Sequence, residues 1–376
     1  MKRISILALA MNRGGAEKVI ITMLPYLTLD YKVTLVLFYN EIHFDIPKEV
    51  NIELITTKKN LNFFQKILFF PLSIFKYYNF LKREKIEVSI SFLTRPNFVN
   101  SIMKLFNRKI RIIISERCYP SIAYKSHRLR WYLYKGLIPF LYNRADILFS
   151  NSIHINKDLQ HNFNITIPMV VIYNPIEIPL LDNGFEKKTD EFKIVNVGSF
   201  TLVKNQKLII DAINPLNFKT RLTLIGDGPK KNELLNYVET HKLNDIIDFT
   251  GKINNVNEYL FKNDCFVLSS NTEGFPNALL EAMAAGLPVI STNCISGPLE
   301  LLNDNFEVEI KIGEFFIAKY GILINVNDKR ALTKALIYLK ENPEELKKLS
   351  ICSRERSKDF VTEVFIKKFE RILRDD

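Results

Sequence analysis

Short runs of apolar residues alternate along the chain with longer segments of mixed polarity. In the first half these runs occupy residues 3–10, 32–38, 52–56, 86–92, 110–115 and 146–150. Continuous apolar runs of this length are typical of strands that are buried on both faces of a parallel sheet. Because helical patterns lie between most of them, we predict a parallel sheet covered by helices on both sides.

The same pattern repeats in the second half, at residues 192–197, 221–225, 246–249, 265–269, 287–290 and 321–324. Residues 303–319 look irregular, and the stretch at 179–191 is polar, with proline, glycine and charged residues. We therefore predict two doubly wound α/β domains, at residues 1–178 and 192–355, joined by a linker at 179–191. A C-terminal helix within 356–376 is predicted to pack back toward the first domain.

Residues 270–290, with the sequence SNTEGFPNALLEAMAAGLPVI, carry the most specific local signal. A polar loop leads into a helix at about 277–285, which ends at Gly286, and a strand follows. Glu273 precedes this helix and Glu281 lies inside it. A helix N-terminus attracts anions such as phosphate, and carboxylates bind hydroxyl groups. The two features side by side suit a sugar nucleotide, which carries both phosphates and hydroxyls. The alternative is an ordinary helix–strand unit with solvated acids.

Other glycine-containing loops also follow predicted strands. Gly14 and Gly15 open the first helix, and Gly226-Asp227-Gly228 and Gly251-Lys252 end strands of the second half. Lys204 follows a glycine turn and could neutralise a diphosphate, although an isolated lysine is more often simply exposed. Two domains facing each other across a cleft would bring such loops onto one ligand.

The charge is unevenly distributed between the halves. Residues 1–180 contain 25 of the 52 Lys and Arg residues but only 12 of the 41 Asp and Glu residues. The whole excess of positive charge therefore lies in the first half, which predicts an anionic surface or substrate there.

Two segments of the first half combine aromatic with basic residues, at 61–82 and 124–144. Lysines and Pro71 interrupt the first, so it lacks the run of about 18 apolar residues that a membrane span needs. Amphipathic aromatic and basic helices suit the headgroup layer of an anionic membrane. The alternative is that both segments bury their aromatic residues in the core.

Several classes of function lack their signatures. The four cysteines have no CxxC spacing and the five histidines have no ligand-like spacing, so no metal site or disulfide framework is predicted. No GxSxG nucleophile motif occurs. The basic first half shows no RNP or helix-turn-helix signature, so nucleic-acid binding is disfavoured. The apolar N-terminus runs into AsnArgGlyGly rather than a cleavage site, which indicates a buried strand and not a signal peptide.

Taken together, the motifs resemble those of the retaining family 4 glycosyltransferases, which have the two-domain GT-B fold. The resemblance covers nearly the whole chain and rests on Gly14 to Glu17, Gly226 to Pro229, and the pair Glu273 and Glu281 in the family's Glu-x7-Glu motif. Residues 92–97 and the segment from Glu116 to Ser121 are similar to bacterial N-acetylgalactosaminyltransferases that act on undecaprenyl-diphosphate-linked sugars.

The resemblance implies a role for each matching residue. Glu281 would bind the donor ribose, Glu273 would hold the transferred sugar, and Lys204 with the Gly15 backbone would stabilise the leaving diphosphate. The implied donor-binding set is Gly15, Gly198, Ser199, Lys204, Gly226, Gly251, Lys252, Ile253, Glu273, Gly274, Phe275, Asn277 and Glu281, with Glu273 and Lys204 as catalytic residues. The implied acceptor-side or supporting set is Gly14, Arg95, Glu116 and Arg117. No metal or other cofactor is implied.

Two positions depart from the family pattern. Ser199 stands where the family usually has an arginine beside the phosphates, so Lys204 carries more of the charge or another basic residue substitutes. Many relatives have a histidine after the strand at 110–115, where this chain has Ser115-Glu116-Arg117. No histidine can therefore be assigned that role.

The predicted activity is that of a retaining hexosyltransferase. It would move a hexose or N-acetylhexosamine, with N-acetylgalactosamine favoured, from a UDP-sugar to a lipid-linked or surface-polysaccharide acceptor. The predicted partners are the UDP-sugar, a polyprenyl-diphosphate-linked saccharide and an anionic membrane, and the predicted location is peripheral, on the inner face of the cytoplasmic membrane. A sugar-nucleotide epimerase and a non-catalytic sugar-nucleotide-binding subunit on the same fold are the alternatives.

Overall fold

A computed structural model describes residues 1–12, 14–56, 63–125, 128–180 and 190–374, with the backbone alone for 63–68. The chain forms two compact units. Unit one comprises Met1–Pro175 together with Thr362–Asp376, and unit two comprises Ile176–Val361.

Unit one alternates strands and helices as its sequence pattern predicts, with one further short strand, at Met169–Val171, that was not predicted. Its elements are β1 (Lys2–Ala8), α1 (Gly15–Asp30), β2 (Tyr31–Leu37), β3 (Asn51–Leu54), α2 (Phe63–Arg83), β4 (Val88–Phe92), α3 (Thr94–Phe106), β5 (Arg111–Glu116), α4 (Pro120–Lys125), α5 (Arg128–Tyr142), β6 (Ile147–Ser150), α6 (Ile153–Phe163), β7 (Met169–Val171) and α14 (Thr362–Arg374). The seven strands form one parallel sheet in the order β3-β2-β1-β4-β5-β6-β7.

Helices cover both faces of this sheet. Successive side chains of a strand point to opposite faces. Ile4 and Ile6 of β1 accordingly enter the core under α1 and α14, whereas Leu7 enters the core under α2 and α3. Strand β4 is buried along its whole length, which explains why it appears in the sequence as a continuous apolar run.

The last helix, α14, belongs to unit one. The rings of Phe369 and Phe149 lie 5.4 Å apart, and Phe365 is buried in the same cluster. Each of these phenylalanines contributes about 1.5–3 kcal/mol by leaving water. Arg111 Nη2 donates to the Ile372 carbonyl oxygen at 2.9 Å, so both packing and hydrogen bonding hold this helix.

Unit two contains a second seven-stranded sheet, in the order β10-β9-β8-β11-β12-β14-β13. Its elements are β8 (Phe192–Val197), α7 (Gln206–Ile213), β9 (Thr220–Ile225), α8 (Lys231–Thr240), β10 (Ile247–Gly251), α9 (Val256–Phe261), β11 (Cys265–Leu268), α10 (Asn277–Ala284), β12 (Val289–Thr292), α11 (Pro298–Leu302), β13 (Phe315–Ala318), β14 (Gly321–Ile324), α12 (Lys329–Glu341) and α13 (Pro343–Ser357), followed by a 3₁₀ turn at Lys358–Phe360.

One strand of unit two was not predicted. Residues 303–319 were expected to be irregular, but β13 lies within them and pairs antiparallel with β14. The two strands are joined by a tight turn. Strand β13 occupies the edge of the sheet, where it forms hydrogen bonds with only one neighbouring strand. Its burial pattern is therefore partial, and its sequence lacks the continuous apolar run of the central strands.

The boundaries of the units differ from the predicted ones. Unit two begins at Ile176 rather than after residue 191, because the Ile176 N–H donates to the Phe360 carbonyl at 2.9 Å and Ile176 bridges to Val361. For the same reason residues 356–361, predicted as part of the returning helix, belong to unit two. Of the predicted linker at 179–191, residues 181–189 lie outside the described residues.

The aromatic segment at 61–82 forms α2 from Phe63 onward, and residues 61 and 62 lie outside the described part. Segment 124–144 contributes the end of α4 and all of α5. Among the described residues, no helix combines the length and the apolarity that crossing a bilayer requires.

Candidate functional site

The carboxyl ends of β8, β9 and β10 are joined by backbone hydrogen bonds. The Gly198 N–H donates to the Ile225 carbonyl at 2.9 Å, and the Gly226 N–H donates to the Gly251 carbonyl at 3.0 Å. Three glycines that were predicted to bind the donor therefore lie side by side at one edge of the sheet, where ligands of doubly wound folds bind.

Two glycines in the loop after β9 are required by close contact between backbones. Gly226 has a φ of 146°, and a Cβ there would lie 2.0 Å from the Gly198 carbonyl oxygen. A Cβ on Gly228 would lie 2.5 Å from the Phe200 carbonyl oxygen. Since both obstacles are backbone atoms, no side-chain rearrangement relieves them. The Gly-Asp-Gly sequence is thus what lets the loops after β8 and β9 pack together.

Lys204 lies in the turn between β8 and α7. Ser269 Oγ donates to the Lys204 carbonyl oxygen at 2.7 Å, and the next residue, Asn205, has a left-handed backbone with a φ of 49°. A Cβ on Gly198 would be 3.8 Å from Lys204 Cγ and Cδ, so the aliphatic part of the lysine runs beside that glycine. These contacts direct the ammonium group toward the loop after β11.

Glu273 meets this ammonium group. Lys204 Nζ donates to Glu273 Oε1 at 2.6 Å, and Ser270 Oγ donates to the same oxygen at 2.6 Å. The Glu273 side chain is only 7% exposed, and a carboxylate at this depth must be paired. Among the described residues, both donors bind Oε1, which leaves Oε2 able to accept a hydrogen bond from a ligand.

The charge of this carboxylate affects the pKa of a buried thiol, that of Cys294. Burial raises the pKa of Cys294 to about 12, and the negative charge of Glu273 adds to the effect. Cys294 is therefore protonated at neutral pH and is not a nucleophile.

A neighbouring segment supports the loop that carries Glu273. The Glu273 N–H donates to the Ile295 carbonyl at 3.3 Å, and Ser296 Oγ donates to the Gly274 carbonyl at 2.6 Å. Gly297 has a φ of 102°, and a Cβ there would lie 2.2 Å from Cδ of Pro276. The loop between β12 and α11 thus packs directly against the start of α10.

The other predicted donor residues of unit two follow strands of the same sheet. Asn277 is the first residue of α10, and the half-buried Glu281 lies just over one turn along that helix. Lys252 and Ile253 follow β10, and Lys252 is exposed. Ser199 is exposed as well, and its carbonyl accepts a hydrogen bond from Gln206 Nε2 at 3.2 Å.

No role was predicted from the sequence for Ser270 or Gly297, although both hold the Glu273 loop in place. The available signal was weak, because a serine three residues before a glutamate is common in loops. Among the residues whose placement is described, no three His, Cys, Asp or Glu side chains converge as a metal site requires.

In unit one, Glu116 is completely buried at the carboxyl end of β5. Its Oε2 accepts hydrogen bonds from Tyr142 OH at 2.7 Å and Thr94 Oγ1 at 3.1 Å, and Thr94 also bonds with Tyr124. Burial raises the pKa of Tyr142, and the charge of Glu116 raises it further. Glu116 was predicted either to face the acceptor or to support the site. Its complete burial fits the supporting role.

Arg117 is buried beside Glu116. Its Nη1 donates to Asn174 Oδ1 at 2.7 Å, and its guanidinium carbon lies 5.1 Å and 4.9 Å from the ring centroids of Phe92 and Phe149. Burial lowers the pKa of Arg117 to about 9, and the charge of Glu116 opposes the fall. Arg117 is therefore enclosed in the interior of unit one, next to the carboxyl end of β5.

Arg95 is half-buried at the start of α3. Its guanidinium carbon lies 5.5–6.0 Å from the ring centroids of Phe38, Tyr39 and Phe69, and Nη1 donates to Tyr39 OH at 2.8 Å. Arginine attracted to aromatic faces is held in a defined orientation. This cluster presents a fixed cation and aromatic rings after β2 and β4.

The N-terminus of α1 holds a carboxylate of its own. A Cβ on Gly14 would lie 2.3 Å from Glu17 Oε2, so this side chain folds back over the first turn, next to Gly15. Burial raises the pKa of Glu17, and a hydrogen bond to its own backbone opposes the rise. A carboxylate therefore lies beside the backbone of Gly14 at the start of α1.

Comparison with known proteins gives a consistent result. A family model described as Glycosyltransferase Family 4 matches residues 13–178, and one described as Glycosyl transferases group 1 matches residues 178–356. The chain is 29% identical over 366 residues to an N-acetylgalactosamine-N,N'-diacetylbacillosaminyl-diphospho-undecaprenol 4-alpha-N-acetylgalactosaminyltransferase of Campylobacter jejuni, with 96% of each chain covered. It is 24% identical to the amylovoran biosynthesis glycosyltransferase AmsD of Erwinia amylovora, again with 96% of each covered.

Solved structures share the fold. Anabaena Alr3699/HepE in complex with UDP has a TM-score of 0.76 at 17% identity, with all of both chains covered. The lipopolysaccharide outer core galactosyltransferase WaaB has a TM-score of 0.75 at 18% identity, with 99% of both chains covered.

Proposed function

The chain belongs to the family 4 and group 1 glycosyltransferases of the GT-B fold, and we propose that it transfers N-acetylgalactosamine from its UDP derivative to a polyprenyl-diphosphate-linked saccharide, with retention of anomeric configuration. The observation that carries the donor half of the proposal is the contact of 2.6 Å between Lys204 Nζ and Glu273 Oε1. The choice of sugar and acceptor is supported by the printed activity of the Campylobacter relative.

Lys204 and Glu273 form the proposed catalytic pair. Departure of UDP leaves negative charge on the diphosphate, which the Lys204 ammonium and nearby backbone N–H groups stabilise without having to reorganise. Glu273 Oε2 accepts a hydrogen bond from a hydroxyl of the transferred sugar while Oε1 keeps its bonds to Lys204 and Ser270. One carboxylate thereby orients both the sugar and the lysine.

Glu281 is proposed to bind the ribose hydroxyls. Its place inside α10, one turn beyond the loop of Glu273, suits a ligand that extends along the start of this helix. Because Ser199 carries no charge, Lys204 is proposed to supply the main positive charge to the diphosphate from this part of unit two.

The test is the release of UDP by the purified full-length chain. The protein is incubated with UDP-N-acetylgalactosamine, UDP-N-acetylglucosamine, UDP-galactose or UDP-glucose, with and without undecaprenyl-diphosphate-linked saccharides. We expect acceptor-dependent UDP release with UDP-N-acetylgalactosamine and an α-linked product, assigned from the anomeric proton coupling. Epimerisation of the donor without acceptor, or a β-linked product, would contradict the proposal.

Transfer is also proposed to be independent of divalent metal, because Lys204 already provides the charge that a metal would supply. Treating the enzyme with an excess of EDTA, followed by gel filtration, should leave the rate of UDP release unchanged within about twofold. A loss of activity that Mg²⁺ or Mn²⁺ restores would show that this part of the proposal is wrong.

Unit one is proposed to contact an anionic membrane through α5. Leu129, Leu133 and Phe140 are 85%, 55% and 57% exposed and recur at helical spacing on one face. The guanidinium carbon of Arg144 lies 3.8 Å from the ring centroid of Phe140, which places positive charge beside this face. Apolar side chains flanked by cations suit the headgroup layer of anionic lipids.

Binding to vesicles tests this surface. The double variant Leu129→Glu/Leu133→Glu should bind phosphatidylglycerol vesicles about tenfold or more weakly in a flotation assay, because it replaces apolar contact with repulsion. The control is Leu29→Glu, since Leu29 is 72% exposed on α1 and lies outside the proposed surface. Equal binding by the double variant and the wild type would exclude α5 as the contact.

A further inference from the structure

A cavity of about 500 Å³ opens at the amino-terminal edge of the sheet in unit one. It lies against α14, at the starts of β5, β6 and β7, whereas the catalytic pair of unit two lies at the carboxyl edge of the other sheet. Its lining consists of Arg111, Asp146, Ile147, Pro168, Val170, Val171, Lys368, Arg371 and Ile372. Volumes of this order hold small organic ligands.

The polar side of this cavity is positively charged. The lining contains three cationic side chains and one carboxylate, Asp146. That carboxylate is already satisfied, because Lys104 Nζ lies 2.6–2.7 Å from both of its oxygens and the Ile112 N–H donates to it at 2.7 Å. Its charge also acts on Arg111, where it opposes the fall in pKa that burial causes, so Asp146 offsets part of the positive charge on that side of the cavity.

The three cations differ in how firmly they are held. Arg111 donates from Nε and Nη2 to the Ile372 carbonyl oxygen, at 3.2 Å and 2.9 Å, and so links β5 to α14. Lys368 and Arg371 are exposed side chains of α14. Within the part of the chain that the structure describes, neither has a carboxylate within salt-bridge distance. Lys368 and Arg371 can therefore direct their charges toward an anion in the cavity.

The opposite side of the cavity is apolar, and the half-buried Ile147, Val170 and Val171 form much of it. A free inorganic anion would not cover this apolar wall, which would stay exposed to water. A ligand with an anionic head and a carbon body would contact both sides, as ligands in mixed cavities do.

We propose that this cavity binds a small organic phosphate, with the phosphate between Arg111, Lys368 and Arg371 and the organic part against the apolar wall. Guanidinium and ammonium groups together are well suited to phosphate oxygens. Since the phosphate joins β5 to α14, its binding stabilises the attachment of the C-terminal helix to unit one. The proposal is independent of the transfer reaction.

Isothermal titration of glucose 1-phosphate into the full-length chain tests the site. The wild type should bind one equivalent, and Lys368→Glu/Arg371→Glu should bind at least about tenfold more weakly. The control Lys367→Glu makes one such charge reversal on the same helix, at an exposed residue that does not line the cavity, and its affinity should equal that of the wild type. Should the double glutamate variant fail to fold, Lys368→Gln/Arg371→Gln provides the same comparison.

Two further arms locate the binding and identify its chemistry. Lys204→Ala should bind glucose 1-phosphate as the wild type does, which separates this site from the donor site and from the proposed transfer. Inorganic phosphate should bind more weakly than glucose 1-phosphate, because it cannot reach the apolar wall. No binding by the wild type, equal affinity of Lys368→Glu/Arg371→Glu, loss of binding in Lys204→Ala, or equal affinity for inorganic phosphate would each overturn the proposal.

Discussion

Replacing Lys204 with alanine is expected to lower the rate of sugar transfer by about 10²–10³-fold, the usual effect of removing one preorganised donor to a developing negative charge. The physical reason is that the ammonium group lies 2.6 Å from Glu273 Oε1 and is proposed to contact the leaving diphosphate. The measurement is the initial rate of UDP release at saturating donor and acceptor, so that the loss appears in kcat rather than only in KM.

A matched lysine provides the control for this experiment. Lys207 lies three residues further along, at the start of α7, and pairs with Asp211 at 2.7 Å on the surface. Lys207→Ala should retain transfer within about twofold, since surface pairs of this kind contribute little. Thermal unfolding of both variants separates lost chemistry from lost structure. A folded Lys204→Ala variant with a wild-type kcat would show that this lysine does not stabilise the leaving group.

Glu273→Gln refines the result, because glutamine keeps the shape of the side chain but not its charge. It should impair transfer strongly while preserving UDP binding, as expected if the carboxylate acts on the sugar and not on the nucleotide. Wild-type transfer by a correctly folded Glu273→Gln variant would contradict the role assigned to the carboxylate.

Replacing Gly226 with alanine is expected to destabilise unit two by about 3 kcal/mol or more. The added Cβ would meet the Gly198 carbonyl oxygen at 2.0 Å, and the φ of 146° is itself unfavourable for alanine. For a unit of this size the loss corresponds to a fall of about 6–12 °C in Tm. Relief of the clash must move the loops after β8 and β9 apart, so UDP affinity should also fall.

Gly251→Ala is the matched comparison. Gly251 also has a positive φ, of 73°, but a Cβ there would have no atom within 4 Å. Alanine should therefore cost only about 1 kcal/mol, from backbone strain alone. Far-UV circular dichroism follows both units, while fluorescence of Trp131, the only tryptophan, reports on unit one. Equal destabilisation by the two variants would show that the close backbone contact at Gly226 is not the cause.

Much of the fold could be predicted from local pattern. The two sets of alternating strands and helices, and the GT-B fold that they imply, are confirmed by both sheets and by the comparisons. Strand β13 was missed because an edge strand does not need the continuous apolar run that marks a central one. The start of unit two at Ile176 was missed because it depends on contacts with Phe360, Val361 and Arg354, which lie far away in the sequence.

The candidate site, like the fold, could be predicted from the sequence only in part. The sequence by itself determined that Glu273 and Lys204 stand in glycine-containing loops after strands, because residue type and spacing are local properties. Only the tertiary structure decided that these two residues, 69 positions apart, form an ion pair, and that Ser270 joins them on the same oxygen.

Which charged side chains are buried was likewise decided only by the tertiary structure. Glu116 and Arg117 could have been ligand-facing from their sequence, yet both are enclosed by side chains that strand order and helix packing bring together from distant segments. The cavity beneath α14 exists for the same reason, since the C-terminal helix returns to unit one after the whole of unit two. Local sequence sets which chemistry is available at each position, whereas long-range packing sets which groups meet and which are shielded from water.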